Sequence, residues 1–98
     1  MCVASIGSDT GGSIRMPASF NGVAALRPTI GRISSTATIA VSAAYDTLGP
    51  MARRVSDVAR VFSAIAGYDP EDPISVDEPV PNVLARIPEP AAGMRIAS

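Results

Sequence analysis

Gly11-Gly12-Ser13 is the stretch of this sequence whose residue types and spacing suit chemistry. Successive backbone N–H groups in a glycine-rich turn converge on one point and bind an anion. A serine ending such a turn is exposed and has donors beside it for developing negative charge. Those are the two needs of an oxygen nucleophile in acyl transfer. One oxyanion-hole donor contributes about 3–4 kcal/mol to the transition state. The same residues also read as a tight turn after a strand, with Ser13 capping the next helical turn. A third reading is a phosphate loop, because Gly7 and Gly12 have the G-x-x-x-x-G spacing. Ser13 and Ile14 follow, however, where Lys and Ser or Thr are needed, so nucleotide binding is disfavoured. Asp9 and Arg15 flank the turn. A bidentate pair between them would hold its geometry; the plainer alternative is a solvated pair worth under about 1 kcal/mol.

The proton-transfer groups that such a serine needs are scarce. The 98 residues contain no histidine and no lysine, and all eight basic residues are arginines. Arginine is effectively always protonated and is a poor general base. Cys2 is the single cysteine, so an internal disulfide and Cys/His metal sites are excluded by count. A reducing, cytoplasmic setting is the default expectation. Net charge is −1 with no block of like charge, which argues against a nucleic-acid surface. The apolar runs are too short to span a bilayer, and residues 1–6 lack the basic region of a signal peptide. With 47% hydrophobic and 17% charged residues, the composition is that of a globular chain. It amounts to one domain at most.

The elements that must position the turn are short. Cys2-Val3-Ala4-Ser5-Ile6 predicts a buried strand ended by Gly7, with a loop from Gly7 to Ser13. Ile14 to Phe20 predicts a helical turn with Pro17 near its start. Val23-Ala24-Ala25-Leu26 predicts a second strand, stopped by Pro28 and Gly31. Residues 33–48, rich in Ser, Thr and Ala, fit either loop or weak strand. Residues 55–66 carry the clearest pattern: Val55, Val58, Ala59, Phe62, Ile65 and Ala66 recur at helical spacing, with Arg60 and Ser63 facing away. Ser56 or a residue just before it would cap this helix, and Gly67 and Pro70 would end it. Six of the nine prolines and six of the nine acids fall between Asp69 and Pro90, predicting an extended surface connection with one helical turn at Val83 to Ile87. The expected divisions are a core segment over 1–68, a Pro-rich acidic connection over 69–92 and the start of a further strand over 93–98.

The stretch Gly7-Ser8-Asp9-Thr10-Gly11-Gly12-Ser13-Ile14-Arg15-Met16-Pro17-Ala18 resembles the second half of the amidase signature. The match continues through Phe20-Asn21-Gly22-Val23 and Leu26-Arg27-Pro28-Thr29-Ile30-Gly31-Arg32-Ile33-Ser34. It resumes at Asp46-Thr47-Leu48-Gly49-Pro50-Met51-Ala52-Arg53 and at Ala64-Ile65-Ala66-Gly67-Tyr68-Asp69-Pro70. The resemblance implies an α/β fold, part of a mixed β-sheet covered by helices. It implies hydrolysis of carbon–nitrogen amide bonds, other than peptide bonds, through an acyl-serine formed by a Ser–cis-Ser–Lys triad, with no cofactor and no metal. By position, Ser13 matches the nucleophile and the backbone N–H groups of Thr10, Gly11, Gly12 and Ser13 match the oxyanion hole. Asp9 and Arg15 match residues that brace the loop.

The departures are as informative. In the family the triad lysine and the bridging serine lie upstream of this segment, so Met1 matches an internal position of a longer protein. Ala25 stands where glycine is usual and Arg27 where lysine is usual. The expectation is therefore a fragment of an amidase, inactive alone, whose parent acts on a small amide. The alternatives are a piece of the amidase component of a glutamyl-tRNA(Gln) amidotransferase, in which ammonia released from glutamine passes to a partner, or a non-catalytic remnant. No nucleic acid and no membrane is an expected direct partner. Exposed strand edges would favour self-association.

Overall fold

The structure, a computed structural model, describes residues 2–89 and 92–94. The expected strand at 93–98 lies largely outside these residues. The described residues form six elements: strand β1 (Ala4–Asp9), helix α1 (Arg15–Asn21), strand β2 (Ala24–Ala25), strand β3 (Thr47–Ala52), helix α2 (Val55–Ile65) and helix α3 (Val83–Arg86). The strands form one sheet in the order β1-β3-β2, with both ladders antiparallel. The chain therefore leaves one edge through α1, returns at the other edge as β2, and enters the centre only after the long loop 26–46.

β1 does not stop at Gly7. It runs on to Asp9, and Gly7 pairs with Gly49 in the ladder. The two glycines are there for close approach rather than for a turn. A Cβ on Gly7 would meet Met51 Cε at 3.0 Å, and one on Gly49 would lie 2.1 Å from the Leu26 carbonyl oxygen. The strand thus carries Asp9 to the far end of the sheet, opposite Thr47.

β3 is the central strand and contains Pro50, a residue that cannot donate to a ladder. The Pro50 carbonyl accepts from Leu26 N at 3.0 Å, on the β2 side. The N and C=O of one residue point to the same side of an antiparallel strand, so the missing N–H also faces the β2 side. The β1 ladder does not need it, and Pro50 is fully buried.

α2 packs its apolar stripe across β2 and β3. Val58, Ala59 and Phe62 are buried, with Phe62 5% exposed. Burying such a phenylalanine contributes roughly 1.5–3 kcal/mol. Val55, expected on that stripe, is exposed instead. It is the first residue of the helix. The cap is Arg54, without a side-chain hydrogen bond, so Ser56 does not cap the helix. Asp57 in the first turn complements the helix dipole.

The acidic, Pro-rich segment is mostly exposed but is fastened to the loop before β3. Asp72, 5% exposed, accepts from the backbone N (2.6 Å) and Oγ (2.9 Å) of Ser35. Val76 N donates to the Gly31 carbonyl at 3.0 Å. Arg32 donates to the carbonyls of Glu78 (3.2 Å) and Pro79 (2.7 Å). Gly31, at φ 84°, leaves no room for a side chain: a Cβ there would lie 2.3 Å from the Ile74 carbonyl oxygen. The helical turn expected at Val83 forms as α3, with the Asn82 side chain accepting from Ala85 N at 3.2 Å.

Candidate functional site

The turn from Asp9 to Arg15 is built around one carboxylate. Asp9 ends β1 with its side chain completely buried. A lone buried carboxylate is strongly disfavoured unless donors surround it. Here Oδ1 accepts from Gly12 N at 2.7 Å, and Oδ2 accepts from Ile14 N at 3.1 Å and Arg15 N at 3.3 Å. The Arg15 guanidinium closes the cage, donating from Nε to Oδ2 (3.1 Å) and from Nη2 to Oδ1 (3.0 Å). This is the bidentate fork that arginine forms and lysine cannot. The Arg15 hydrogen bonds outweigh the opposing effect of burial and, with the three backbone donors, hold the Asp9 carboxyl far below the usual carboxylate range.

The turn then rolls into α1, with Met16 N donating to the Gly12 carbonyl at 2.8 Å. Gly12 is at φ 139°, a conformation that side-chain-bearing residues rarely adopt. Gly12 and Ile14 are buried while Ser13 between them is exposed. The wrapping around Asp9 thus turns both neighbours inward and Ser13 outward. The capping reading of Ser13 fails: the helix cap is Ile14, with no side-chain cap hydrogen bond. The Ser13 hydroxyl has no hydrogen-bond partner among the described residues.

The four expected anion donors do not stand alike. The Gly12 amide is directed at Asp9 and is not free for an oxyanion. The reason is electrostatic: a buried carboxylate takes the nearest donors. The amides of Gly11 and Ser13 have no acceptor among the described residues, and a Cβ on Gly11 would meet nothing within 4 Å.

Two residues outside the turn reach into it, and sequence reasoning marks neither as part of the site. Arg27 Nε lies 3.4 Å from Asp9 Oδ1, and its Nη2 donates to the Tyr45 carbonyl at 2.8 Å. Its buried Nε has no hydrogen-bond partner among the described residues, so the attraction to Asp9 is one of charge rather than of hydrogen bonding. Asp46 accepts from the Thr10 hydroxyl through Oδ1 and from Val41 N (2.6 Å) and Ser42 N (2.9 Å) through Oδ2. The Thr10 hydrogen bond and the Ser42 amide hold the Asp46 carboxyl below its ordinary range. No local signal joins residues 36 positions apart. The family resemblance includes Asp46 and Arg27 but attaches no role to either.

Among the described residues, no three of Cys, Asp and Glu converge as metal ligands. No described helix is long and apolar enough to cross a membrane. A cavity of about 540 Å³ lies at the start of β1, lined by Cys2, Ala4, Pro17, Asn21 and Met51 among others. Ser13 is not part of it. The site is defined by the chemistry of the turn and not by a hollow.

A family model described as Amidase matches residues 1–98. The chain belongs to the amidase family. It is 49% identical over 96 residues to a glutamyl-tRNA(Gln) amidotransferase subunit of Prochlorococcus marinus, covering 98% of this chain and 20% of that protein. The peptide amidase from Stenotrophomonas maltophilia superposes with a TM-score of 0.79 at 43% identity, over 87% of this chain and 18% of that one. The corresponding amidotransferase subunit of Thermotoga maritima does so with a TM-score of 0.75 at 40% identity, over 80% of this chain and 17% of that one. The helices and strands described above are thus a portion of the amidase signature fold. The chain spans about a fifth of the length of the curated relatives it matches.

Proposed function

We propose that this chain is the nucleophile-bearing part of an amidase that cleaves carbon–nitrogen bonds through an acyl-serine on Ser13. The observation that carries the reading is the outward placement of an uncommitted Ser13 hydroxyl on a turn whose inner side is fixed by Asp9. In the proposed reaction Ser13 Oγ attacks the amide carbon and loses its proton to a base. The carbonyl oxygen becomes an oxyanion facing the amides of Gly11 and Ser13, with Thr10 beside them. The amine leaves with a proton, and water then hydrolyses the ester and restores Ser13. Asp9 and Arg15 brace the turn and do not touch the substrate.

The 98 residues supply no lysine, so the base is absent from this chain. Alone it is inactive under this reading, because loss of a triad base leaves only the contribution of the oxyanion hole and binding. The test is hydrolysis of a small primary amide by this chain and by a protein in which it is joined in frame to an amidase segment carrying the lysine and the bridging serine. Activity in the second, abolished by Ser13→Ala, supports the reading. Equal activity in the isolated chain and its Ser13→Ala variant shows contamination, whereas Ser13-dependent activity in the isolated chain overturns the need for a lysine.

A second reading has its own support: relatives 46–50% identical to this chain carry the name of a glutamyl-tRNA(Gln) amidotransferase subunit. In that reading the amide is that of glutamine and the released ammonia passes to a partner. Release of ammonia from glutamine, in preference to simple aliphatic amides, by the triad-complete protein would select it.

A further inference from the structure

We propose that Asp46 is a positioning residue for the nucleophile turn, acting through the Thr10 hydroxyl on the backbone of Thr10 and Gly11. The inference rests on the reading of Ser13 as nucleophile. The geometry divides the turn into two halves. Asp9 holds the later half, through the amides of Gly12, Ile14 and Arg15. None of those contacts reaches Thr10 or Gly11, and a Cβ on Gly11 would meet only open space. The Thr10–Asp46 hydrogen bond is the side-chain contact that ties down the earlier half. Asp46 is itself fixed, because Val41 N and Ser42 N hold its other oxygen. Independently, Arg27 joins the Tyr45 carbonyl to the neighbourhood of Asp9. The loop 41–46 is therefore fastened to both halves of the turn. A charge-assisted hydrogen bond of this kind is about twice as strong as a neutral one. It holds the amides of Thr10 and Gly11 in the direction an oxyanion requires before substrate arrives, which is where preorganised donors derive their effect.

Thr10→Val breaks the contact while keeping the side-chain shape and leaving Asp46 on its loop. Thr10→Ser retains the hydroxyl, and Asp46→Ala removes the acceptor. Backbone 15N order parameters of this chain are the first readout. The expected result is a value near about 0.85 at Gly11 in the native chain and below about 0.6 in Thr10→Val and Asp46→Ala, with Ile14 and Arg15 unmoved and Thr10→Ser restored. In the triad-complete protein, Thr10→Val then lowers kcat by about 10- to 100-fold with KM unchanged. An unchanged Gly11 order parameter in Thr10→Val, or a loss of kcat that Thr10→Ser does not rescue, overturns the proposal. If instead Gly11 loosens as expected while Ser13→Ala leaves amide hydrolysis intact, the coupling stands and the nucleophile reading fails.

Discussion

Asp9 and Arg15 form a two-point contact in which a completely buried carboxylate meets an arginine whose side chain is 56% exposed. The pair joins the end of a strand to the first residue of a helix, so the turn between them has little freedom. Asp9→Asn removes the charge and converts one acceptor oxygen to a donor facing N–H groups. Leaving the buried Gly12 and Ile14 N–H groups without their acceptor costs about 1–3 kcal/mol. Urea unfolding should show the midpoint falling accordingly. Arg15→Lys, which loses the fork but keeps the charge, should cost less. An Arg15→Lys variant as stable as the native chain would show that the bidentate geometry is not what holds the turn.

Acid should unfold this chain largely through the same carboxylate. The folded-state pKa of Asp9 lies far below its unfolded value, as hydrogen bonds from Arg15 and the backbone favour the charged form. The stability it contributes is fully present above the unfolded carboxylate pKa of about 4 and is lost as pH falls through the folded value. Asp46, Asp69 and Asp72 are shifted in the same direction, by Thr10, Ser34 and the Ser35 backbone respectively. Stability measured by urea at a series of pH values should therefore decline steadily below about pH 4, and Asp9→Asn should flatten that decline. A stability that stays constant from about pH 5 to about pH 2 would contradict the burial and pairing of Asp9.

Glycine substitutions should separate packing from chemistry. Gly49→Ala places a methyl 2.1 Å from the Leu26 carbonyl oxygen, a backbone atom with nowhere to move. Its cost should reach or pass the upper end of the about 1–3 kcal/mol typical of overpacking. Gly11→Ala meets nothing within 4 Å and should change stability by less than about 0.5 kcal/mol. Thermal melts of the two variants give the comparison.

The stripe of α2 makes a similar pair. Phe62→Ala removes a ring that is 5% exposed and should cost about 3–5 kcal/mol. Val55→Ala, at a residue 63% exposed, should stay within about 0.5 kcal/mol. A large effect at Val55 would mean that a further surface covers this end of the helix.

Legibility in the sequence follows the range of the interactions. The α2 stripe is readable at Val58, Ala59 and Phe62 because a helix repeats its pattern locally. The exposure of Val55 and the cap at Arg54 rather than Ser56 concern the helix end, where the repeating pattern has only just begun. Strand β3 is hidden because Gly49 and Pro50 look like breakers. They fit only because the Leu26 carbonyl and the β1 ladder approach them from the two sides. Gly7 reads as a stop for the same reason, although its role is to let β3 come close. At the site, the glycine turn and its flanking acid and arginine lie close together in sequence and can be found by eye. Asp46 and Arg27 reach it only through the folding of the long loop 26–46, which no local spacing encodes. The use of the Gly12 amide by Asp9 is equally invisible, since it depends on where the buried carboxylate points.

The central claim is that Ser13 forms the acyl bond. Incubating the triad-complete protein with a serine-directed fluorophosphonate and mapping the modified peptide by mass spectrometry tests it most directly. The account predicts one phosphonyl group on Ser13, within the peptide ending at Arg15, and none in Ser13→Ala. A protein that hydrolyses amides while carrying the group on another residue, or that keeps its activity in Ser13→Ala, would contradict it.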